Sequence, residues 1–318
     1  MDKLSEKNFF TKKINVTLIA LFCMILWGTA APVIKVGFDL FKIEQLEIYS
    51  KILFAGLRFV IGGIIVILIF SLREKRLLIP NKKSIPDVIA IGLVQTTLQF
   101  ALFYIGLAYT TGLKASIFSA LTTFFAVGIA HFFYKDDRLN FKKSFGCIIG
   151  FSGILILSLG GNQNDSKGFS LIGDGLVILS MIAYAVATVM CKEASKRGNI
   201  TAVTGYSLLF GGLILVIIGI IGGGILENIS IIGAFTVFYL GFLTAIALTL
   251  YNFLLKYNNV SLINMYNFLV PIFGTIFSAI LLNENVFTLK NIVSLILACV
   301  GILVVNLPDK VKSSNDNT

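Results

Sequence analysis

The sequence predicts an all-α polytopic membrane protein with ten transmembrane helices, arranged as two inverted five-helix repeats. Three observations carry that prediction. Of the 318 residues, 57% are hydrophobic and only 13% charged, with a mean hydropathy of +0.91; soluble domains carry about a quarter charged residues. Apolar runs of about 20 residues recur along the chain, each long enough to cross a hydrocarbon core of about 30 Å. Residues 102–157 also align without a gap on residues 250–305, at an offset of 148. A β-barrel would alternate polar and apolar residues in segments of about ten, and nothing in this chain alternates.

Cut at clusters of charge, Gly and Asn/Asp, the chain yields spans at about 14–36, 52–71, 88–108, 113–133, 144–160, 171–191, 201–222, 231–253, 259–282 and 290–307. The first has features of a secretory leader: a Lys-bearing start, the run VTLIALFCMIL, then the small residues GTAA. Its apolar stretch continues through PVI to Lys35, and Pro32 follows the would-be cleavage motif, so it reads as an uncleaved first helix. Connections are short, and no inserted soluble domain is expected. The expected organisation is an N-terminal segment 1–13, a first five-helix unit 14–160, an outer linker 161–170, a second unit 171–307 and a tail 308–318.

Orientation follows from the lysines and arginines of the short loops. With the N-terminus inside, the inner segments hold nineteen of them and the outer segments three, Lys42, Lys167 and Lys290. That bias places both termini in the cytoplasm of a protein of the cell (inner or plasma) membrane. It also accounts for the net charge of +10 without any nucleic-acid partner. The four cysteines, Cys23, Cys147, Cys191 and Cys299, sit in or at the ends of apolar runs with no C-x-x-C, and read as small core residues.

The repeat keeps its landmarks in step. Tyr109 meets Tyr257, Leu121 meets Leu269, Phe125 meets Phe273, Lys142 meets Lys290, and Gly153-Ile154-Leu155 meets Gly301-Ile302-Leu303. WGTAAPVIK (27–35) can be laid on YAVATVMCK (184–192). A unit with an odd number of helices must enter the membrane from opposite sides in its two copies. Such inversion supports alternating access, because exchanging the conformations of the halves converts an inward-open protein into an outward-open one. A duplicated scaffold without transport is the alternative.

At this level the chain resembles the EamA-like ten-helix transporters of the drug/metabolite transporter superfamily. The carrying stretches are ILWGTAAPVIK, LRFVIGG and ALFYIGLAYTTGLKASIFSALTTFFAV, then NVSLINMYNFLVPIFGTIFSAILLNENV, with Gly-rich ends to spans 5 and 10. The resemblance covers about residues 14–307. It implies a central cavity lined by spans 1, 3 and 4 and their repeat mates, and it implies export. The sequence departs from the family pattern after span 4, where YKDDRL stands in place of the usual Gly-Glu, and at the second such site, which reads Leu-Asn-Glu. No substrate subfamily follows.

The residues themselves offer a candidate substrate site. In span 9, Asn264, Asn267 and Pro271 stand at i, i+3 and i+7, on one helix face. Their repeat mates Ser116, Ser119 and Thr123 form a second polar stripe in span 4. Gln95 and Gln99 stand i, i+4 in span 3, and Trp27 and Tyr184 are repeat mates in spans 1 and 6. Uncharged amides and hydroxyls suit hydrogen bonding to a neutral or zwitterionic solute; their alternative use is helix–helix glue. Pro32 and Pro271 are candidate hinges, since proline removes a backbone donor and can kink a helix. Tyr266 reads as packing. Arg58 reads as structural, snorkelling outward or pairing with a helix-end carbonyl. His131, the single histidine, reads as structural with a proton-carrying role as the alternative. Asn252 lies near an interface, and Lys114 at the outer margin of span 4.

Several functions are excluded or weakened. No Asp or Glu stands at the middle of a span; the nearest, Asp174, lies in the first turn of span 6. This argues against simple carboxylate-based proton coupling. There is no G-x-x-x-x-G-K and no H-E-x-x-H. Asp136-Asp137 reads as a solvated turn. The chain is expected to have no catalytic residues, cofactor or metal. Its expected partners are a small-molecule substrate and the lipid bilayer, with a homodimer left open. The expected function is a secondary transporter, an exporter of a small polar metabolite such as an amino acid. The alternatives are an organic-anion or sugar-phosphate exchanger using Arg58 and Lys114, or a non-transporting membrane scaffold or sensor.

Overall fold

The computed structural model describes residues 3–44, 46–109, 118, 121–158, 170–282 and 289–306, and among them it contains helices and turns but no strand. A short helix α1 (Lys3–Thr11) precedes α2 (Lys13–Leu40) and α3 (Ile48–Glu74). Then α4 (Ile85–Ile91) runs through a π-helical segment, Gly92–Leu98, into α5 (Gln99–Tyr109). The first half closes with α6 (Leu121–Phe133) and α7 (Phe141–Ser158). The second half has α8 (Gly173–Arg197), α9 (Ile200–Ile221) and α10 (Ile231–Tyr257). It continues with α11 (Val260–Met265), a 3₁₀ turn Tyr266–Leu269, α12 (Val270–Leu282) and α13 (Leu289–Asn306). Six of these helical runs, Lys13–Leu40, Ile48–Glu74, Lys82–Gly106, Gly173–Arg197, Ile200–Ile221 and Ile231–Tyr257, are long and apolar enough to cross a membrane. The chain is an all-α, multi-pass membrane protein.

Helix starts are set by local chemistry. The side chains of Asn81, Asn199 and Ser230 accept hydrogen bonds from the backbone N–H groups of Ser84 (2.8 Å), Thr201 (3.0 Å) and Gly233 (3.0 Å), satisfying donors that have no partner within the helix. Helix ends overrun the apolar runs. α8 continues through Lys192 to Arg197, because long basic side chains propagate a helix well and suit its negative end.

Two long runs are irregular, and both irregularities fall at predicted site residues. The π segment contains Gln95 and hands over to α5 at Gln99. In the other run, the N–H of Val270 donates to the carbonyl of Asn267 in a 3₁₀ bond. The α-helical donor to that carbonyl would be residue 271, a proline without an N–H. Pro271 is thus the second residue of a new helix, set just beyond the 3₁₀ turn. Pro32 is buried within an uninterrupted α2.

Glycines let helices touch backbone to backbone. A Cβ added at Gly56 would lie 2.6 Å from the backbone nitrogen of Val216, one at Gly63 2.6 Å from that of Leu209, and one at Gly212 2.8 Å from that of Val60. α3 and α9 therefore pack in close backbone contact along their length. α7 packs on α13 in the same way, with a Cβ at Gly301 reaching 2.7 Å from the carbonyl of Gly146. This is how membrane helices gain dispersion energy where burial from water supplies none. The remaining packing sets α10 against α2 and α3, α12 against α2, α5 and α6 against α8, α11 against α6, and the π segment against α9. Many large apolar side chains point outward, such as Ile217, Phe235, Phe242 and Ile296, as a lipid-facing surface requires. Cys23, Cys147 and Cys191 are buried and free as expected, whereas free Cys299 is exposed.

Gly63→Val is expected to cost about 1–3 kcal/mol through overpacking, lowering the apparent melting temperature of the detergent-solubilised protein by several degrees. Gly128→Ala, where an added Cβ meets nothing within 4 Å, should leave it unchanged or slightly raised.

Candidate functional site

The polar centre of the bundle is built around Tyr251 of α10, fully buried where α2, α8 and the α11–α12 run converge. Its ring meets the Trp27 indole edge-on at 5.0 Å between centroids. Its hydroxyl faces the phenol of Tyr184 from α8 and accepts a hydrogen bond from Asn267 Nδ2 at 3.4 Å. The same Nδ2 donates to Asn264 Oδ1 at 3.1 Å, Asn264 Nδ2 donates to the Val260 carbonyl at 2.9 Å, and Thr123 Oγ1 of α6 donates to the Asn264 carbonyl at 3.0 Å. Four predicted site residues, Trp27, Tyr184, Asn264 and Asn267, therefore come together. Thr123 joins them from the other stripe. Ser116, Ser119 and Lys114 lie outside the described residues.

Gln95 and Gln99 are both buried but belong to an adjoining layer. The carbonyl of the Gln95 amide accepts from Cys191 Sγ at 3.8 Å, and Cys191 in turn flanks the tyrosine pair. Among the described residues Gln99 Oε1 and Asn267 Oδ1 have no hydrogen-bond partner. Asn252 is buried and donates to Thr204 Oγ1 at 2.8 Å, tying α10 to α9. Tyr266 packs as expected and adds a hydrogen bond to Thr17 Oγ1 at 2.9 Å. His131 accepts from the Leu139 N–H at 3.0 Å, bracing the turn after α6.

Sequence reasoning passed over Tyr251. The available signal was its hydroxyl, four residues beyond Ala247 in an apolar helix, because a buried phenol calls for a partner. Two expectations are corrected outright. Arg58 neither snorkels nor finds a helix-end carbonyl. Only 5% exposed, its guanidinium lies 4.5 Å from the Phe59 ring centroid and 5.2 Å from that of Phe100, with Nε and Nη1 unpartnered among the described residues. A cation at the middle of a membrane helix costs about 2.5–3.5 kcal/mol on insertion scales, and a desolvated cation–π contact returns up to about 2 kcal/mol. Stacking thus offsets much of the charge burial but leaves the N–H donors unmet.

The second correction concerns Asp136-Asp137. Asp136 is exposed, but Asp137 is fully buried. Its carboxylate pairs with Lys143 Nζ at 2.5 Å and accepts the N–H of Ser261, in the first turn of α11, at 3.0 Å. It draws the positive end of a second-half helix onto a first-half turn. Around it the same end is knit across the halves. Tyr134 donates to Glu193 at 2.7 Å and Arg197 pairs with Asp87, while within the second half Lys192 Nζ donates to the Asn258 carbonyl at 2.8 Å. Glu6 of α1 takes Lys256 at 3.1 Å and Tyr257 at 2.7 Å. Beside this network a cleft of about 480 Å³ opens, lined by Lys13, Lys135, Arg138 and Lys142, with Val16 and Tyr266 on its walls.

Long apolar helices, glycine-mediated packing and a buried polar cluster between helices define a polytopic helical membrane protein. The chain belongs to the EamA-like transporter family, whose model matches it twice, over residues 15–159 and 171–307. It is similar to the uncharacterized transporter YvbV of Bacillus subtilis, with 27% identity over 95% of each chain. It also resembles the WAT1-related protein At3g02690 of Arabidopsis thaliana, described as chloroplastic, with 26% identity over 89% of this chain and 67% of the other. A solved crystal structure shares the fold, with a TM-score of 0.77 across 93% of this chain and 97% of that one at 18% identity. The protein is therefore a transporter of the drug/metabolite superfamily, working in a lipid bilayer on a small-molecule substrate.

Two measurements test the lysine-rich end. Asp137→Ala removes the carboxylate from Lys143, which keeps only the Arg138 carbonyl at 3.0 Å, and leaves the Ser261 N–H without its acceptor; it should cost about 3 kcal/mol in thermal unfolding. The double variant Asp137→Leu/Lys143→Met should lose less than Asp137→Ala alone.

For Glu6, burial raises the carboxyl pKa, but hydrogen bonds from Tyr257 and Lys256 with the charges of Lys256 and Arg73 outweigh it and hold the group below its ordinary range. The docking energy this supplies is complete above the unfolded carboxylate range and disappears as pH falls through the lowered value. A spin label at Lys7 should stay immobile through the ordinary carboxylate range and gain mobility only at lower pH. In Glu6→Gln it should be mobile throughout.

Proposed function

We propose that the protein is a secondary transporter that exports a small polar metabolite, such as an amino acid, by alternating access between two inverted five-helix repeats. The repeats run over 14–160 and 171–307 in a ten-helix bundle, with both termini in the cytoplasm. The observation that carries this reading is the helix pairing. α3 pairs with α9 and α7 with α13, each joining corresponding helices of the two halves. The contacts of α2 with α10 and α12 are mirrored by those of α8 with α5 and α6, its counterparts. Each half thus packs on the other as the other packs on it, the arrangement in which the two can exchange conformations. The double family match over the two halves supports the same division.

The cluster of Trp27, Tyr184, Tyr251, Asn264 and Asn267 supports a substrate site at the junction. It draws on both halves, it is uncharged, and it lies beside a 3₁₀ turn that leaves backbone and amide groups free to change partners. In the conformation described, the Asn267 Nδ2 donor is held by Asn264 and Tyr251, and Asp137 and its neighbours tie together the lysine-rich end. A solute would replace the Asn264–Asn267 and Asn267–Tyr251 bonds. Pro271 and Pro32 would act as hinges, and Ser116, Ser119, Gln95 and Gln99 would line the first-half side.

Untargeted metabolite comparison inside and outside cells, with and without overexpression, should reveal one or a few polar metabolites enriched outside. Asn264→Leu and Asn267→Leu should each lower that efflux tenfold or more without loss of protein from the membrane. Intact flux in both would remove the site assignment, and flux of nothing from reconstituted vesicles would favour a scaffold or sensor.

A further inference from the structure

Arg58 is a buried cation whose Nε and Nη1 donors have no hydrogen-bond partner among the described residues. Two other cations drawn into the fold have oxygen partners: Lys143 has Asp137, and Lys192 has the Asn258 carbonyl. Arg58 instead lies against two phenylalanine faces with Nε and Nη1 unmet, and the phenol of Tyr104, also buried and without a hydrogen-bond partner among the described residues, is the titratable group that faces it. Aromatic faces stabilise a cation without occupying its N–H groups. A guanidinium held so is pre-organised for a planar anion, which it can grip through two parallel N–H bonds.

Position links this group to the polar centre. Phe59 and Tyr104 belong to the aromatic cluster into which Trp27 also packs, and Trp27 packs equally into the cluster that holds Tyr251 and Tyr266. The indole thus touches both the cluster that holds Phe59 and Tyr104 and the cluster that holds the tyrosine–amide chain. Two acceptor oxygens are also unpartnered among the described residues: Gln99 Oε1, on the residue before Phe100, and Asn267 Oδ1, on the amide bonded to Tyr251. Unmet donors on a cation and unmet neutral acceptors call for a cargo with complementary groups: an anion at one end and N–H or O–H donors at the other.

We propose that Arg58 is a substrate-binding residue, the counter-charge for a carboxylate on the cargo, so that the transported class is small carboxylates that also carry a hydrogen-bond donor, α-amino acids foremost. This rests on the transport reading above and assigns a residue and a charge to it. A single guanidinium with no acid beside it among the described residues matches one carboxylate better than a phosphate dianion. When the helices around Trp27 part, the carboxylate takes the unmet N–H groups of Arg58, and the amino or hydroxyl end takes the free amide oxygens.

The test uses the full-length protein in detergent and in vesicles, with L-leucine, L-phenylalanine and L-threonine as probes and their primary amides as carboxylate-free controls. Thermal unfolding in detergent reads binding directly. At least one acid should raise the unfolding temperature of the wild type while its amide does not, and Arg58→Gln and Arg58→Met should abolish the response. Arg58→Lys, which keeps the charge but not the planar fork, should respond only at about tenfold higher probe concentration. In vesicles, the wild type should move acid over amide by about a hundredfold, and Arg58→Gln should bring that ratio near one. If none of the acids stabilises the wild type, or a folded Arg58→Gln responds as the wild type does, the assignment is overturned. Acid-specific binding lost in Arg58→Gln but without flux in any vesicle would instead sustain Arg58 as the carboxylate site and bring down the transport mechanism.

Discussion

Inside a hydrocarbon layer no water is present to satisfy a polar group, so each one must find its partner within the bundle. That constraint orders the rest of this molecule. It explains why the described chain is helical and why asparagines in an apolar run bond to one another. It also explains why a single guanidinium is wrapped in aromatic rings. The polar groups that meet the constraint stabilise one conformation. Among those that do not, Arg58, Gln99 and Asn267 mark where another conformation or a guest would gain a partner.

Association of the helices has a different origin from association in water. Lipid tails are as apolar as leucine, so contact is won by close approach, and glycine makes that approach available. The α3–α9 and α7–α13 seams are built this way. They are the rigid part of the architecture, since any added carbon there meets backbone. The centre is built on another plan. The π segment at Gln95, the 3₁₀ turn at Asn267 and the proline after it interrupt regular hydrogen bonding where side-chain amides are concentrated. Rigid seams around an adjustable middle fit the alternating access proposed above.

Much of this was legible in the chain. Helix existence and ends follow from apolar length and capping residues, and within the described residues most expected spans agree with helices to within a few residues, the clearest excess being where basic side chains extend α8 and α10; the start of span 4 lies outside the described residues. Trp27, Tyr184, Asn264 and Asn267 were visible as polar or amphipathic residues out of place in oil, and the structure brings them to one point. Tyr251 was not, because a tyrosine near the end of a span normally sits at the interface. Asp137 was misread for a similar reason. A carboxylate beside Asp136 and Arg138 looks solvated until the chain carries Ser261 and Lys143 over it.

By itself the sequence determined class, element order and the inventory of polar residues, because hydropathy, helix period and capping act over a few residues and survive without knowledge of neighbours. Only the tertiary structure decided which of those residues meet. Whether an asparagine is paired or free, whether an arginine reaches water or a ring, and whether an aspartate is solvated or locked depend on contacts between helices hundreds of residues apart. Those contacts come from packing geometry, in which a glycine seam or a missing proline N–H sets the register, and no local pattern encodes that outcome.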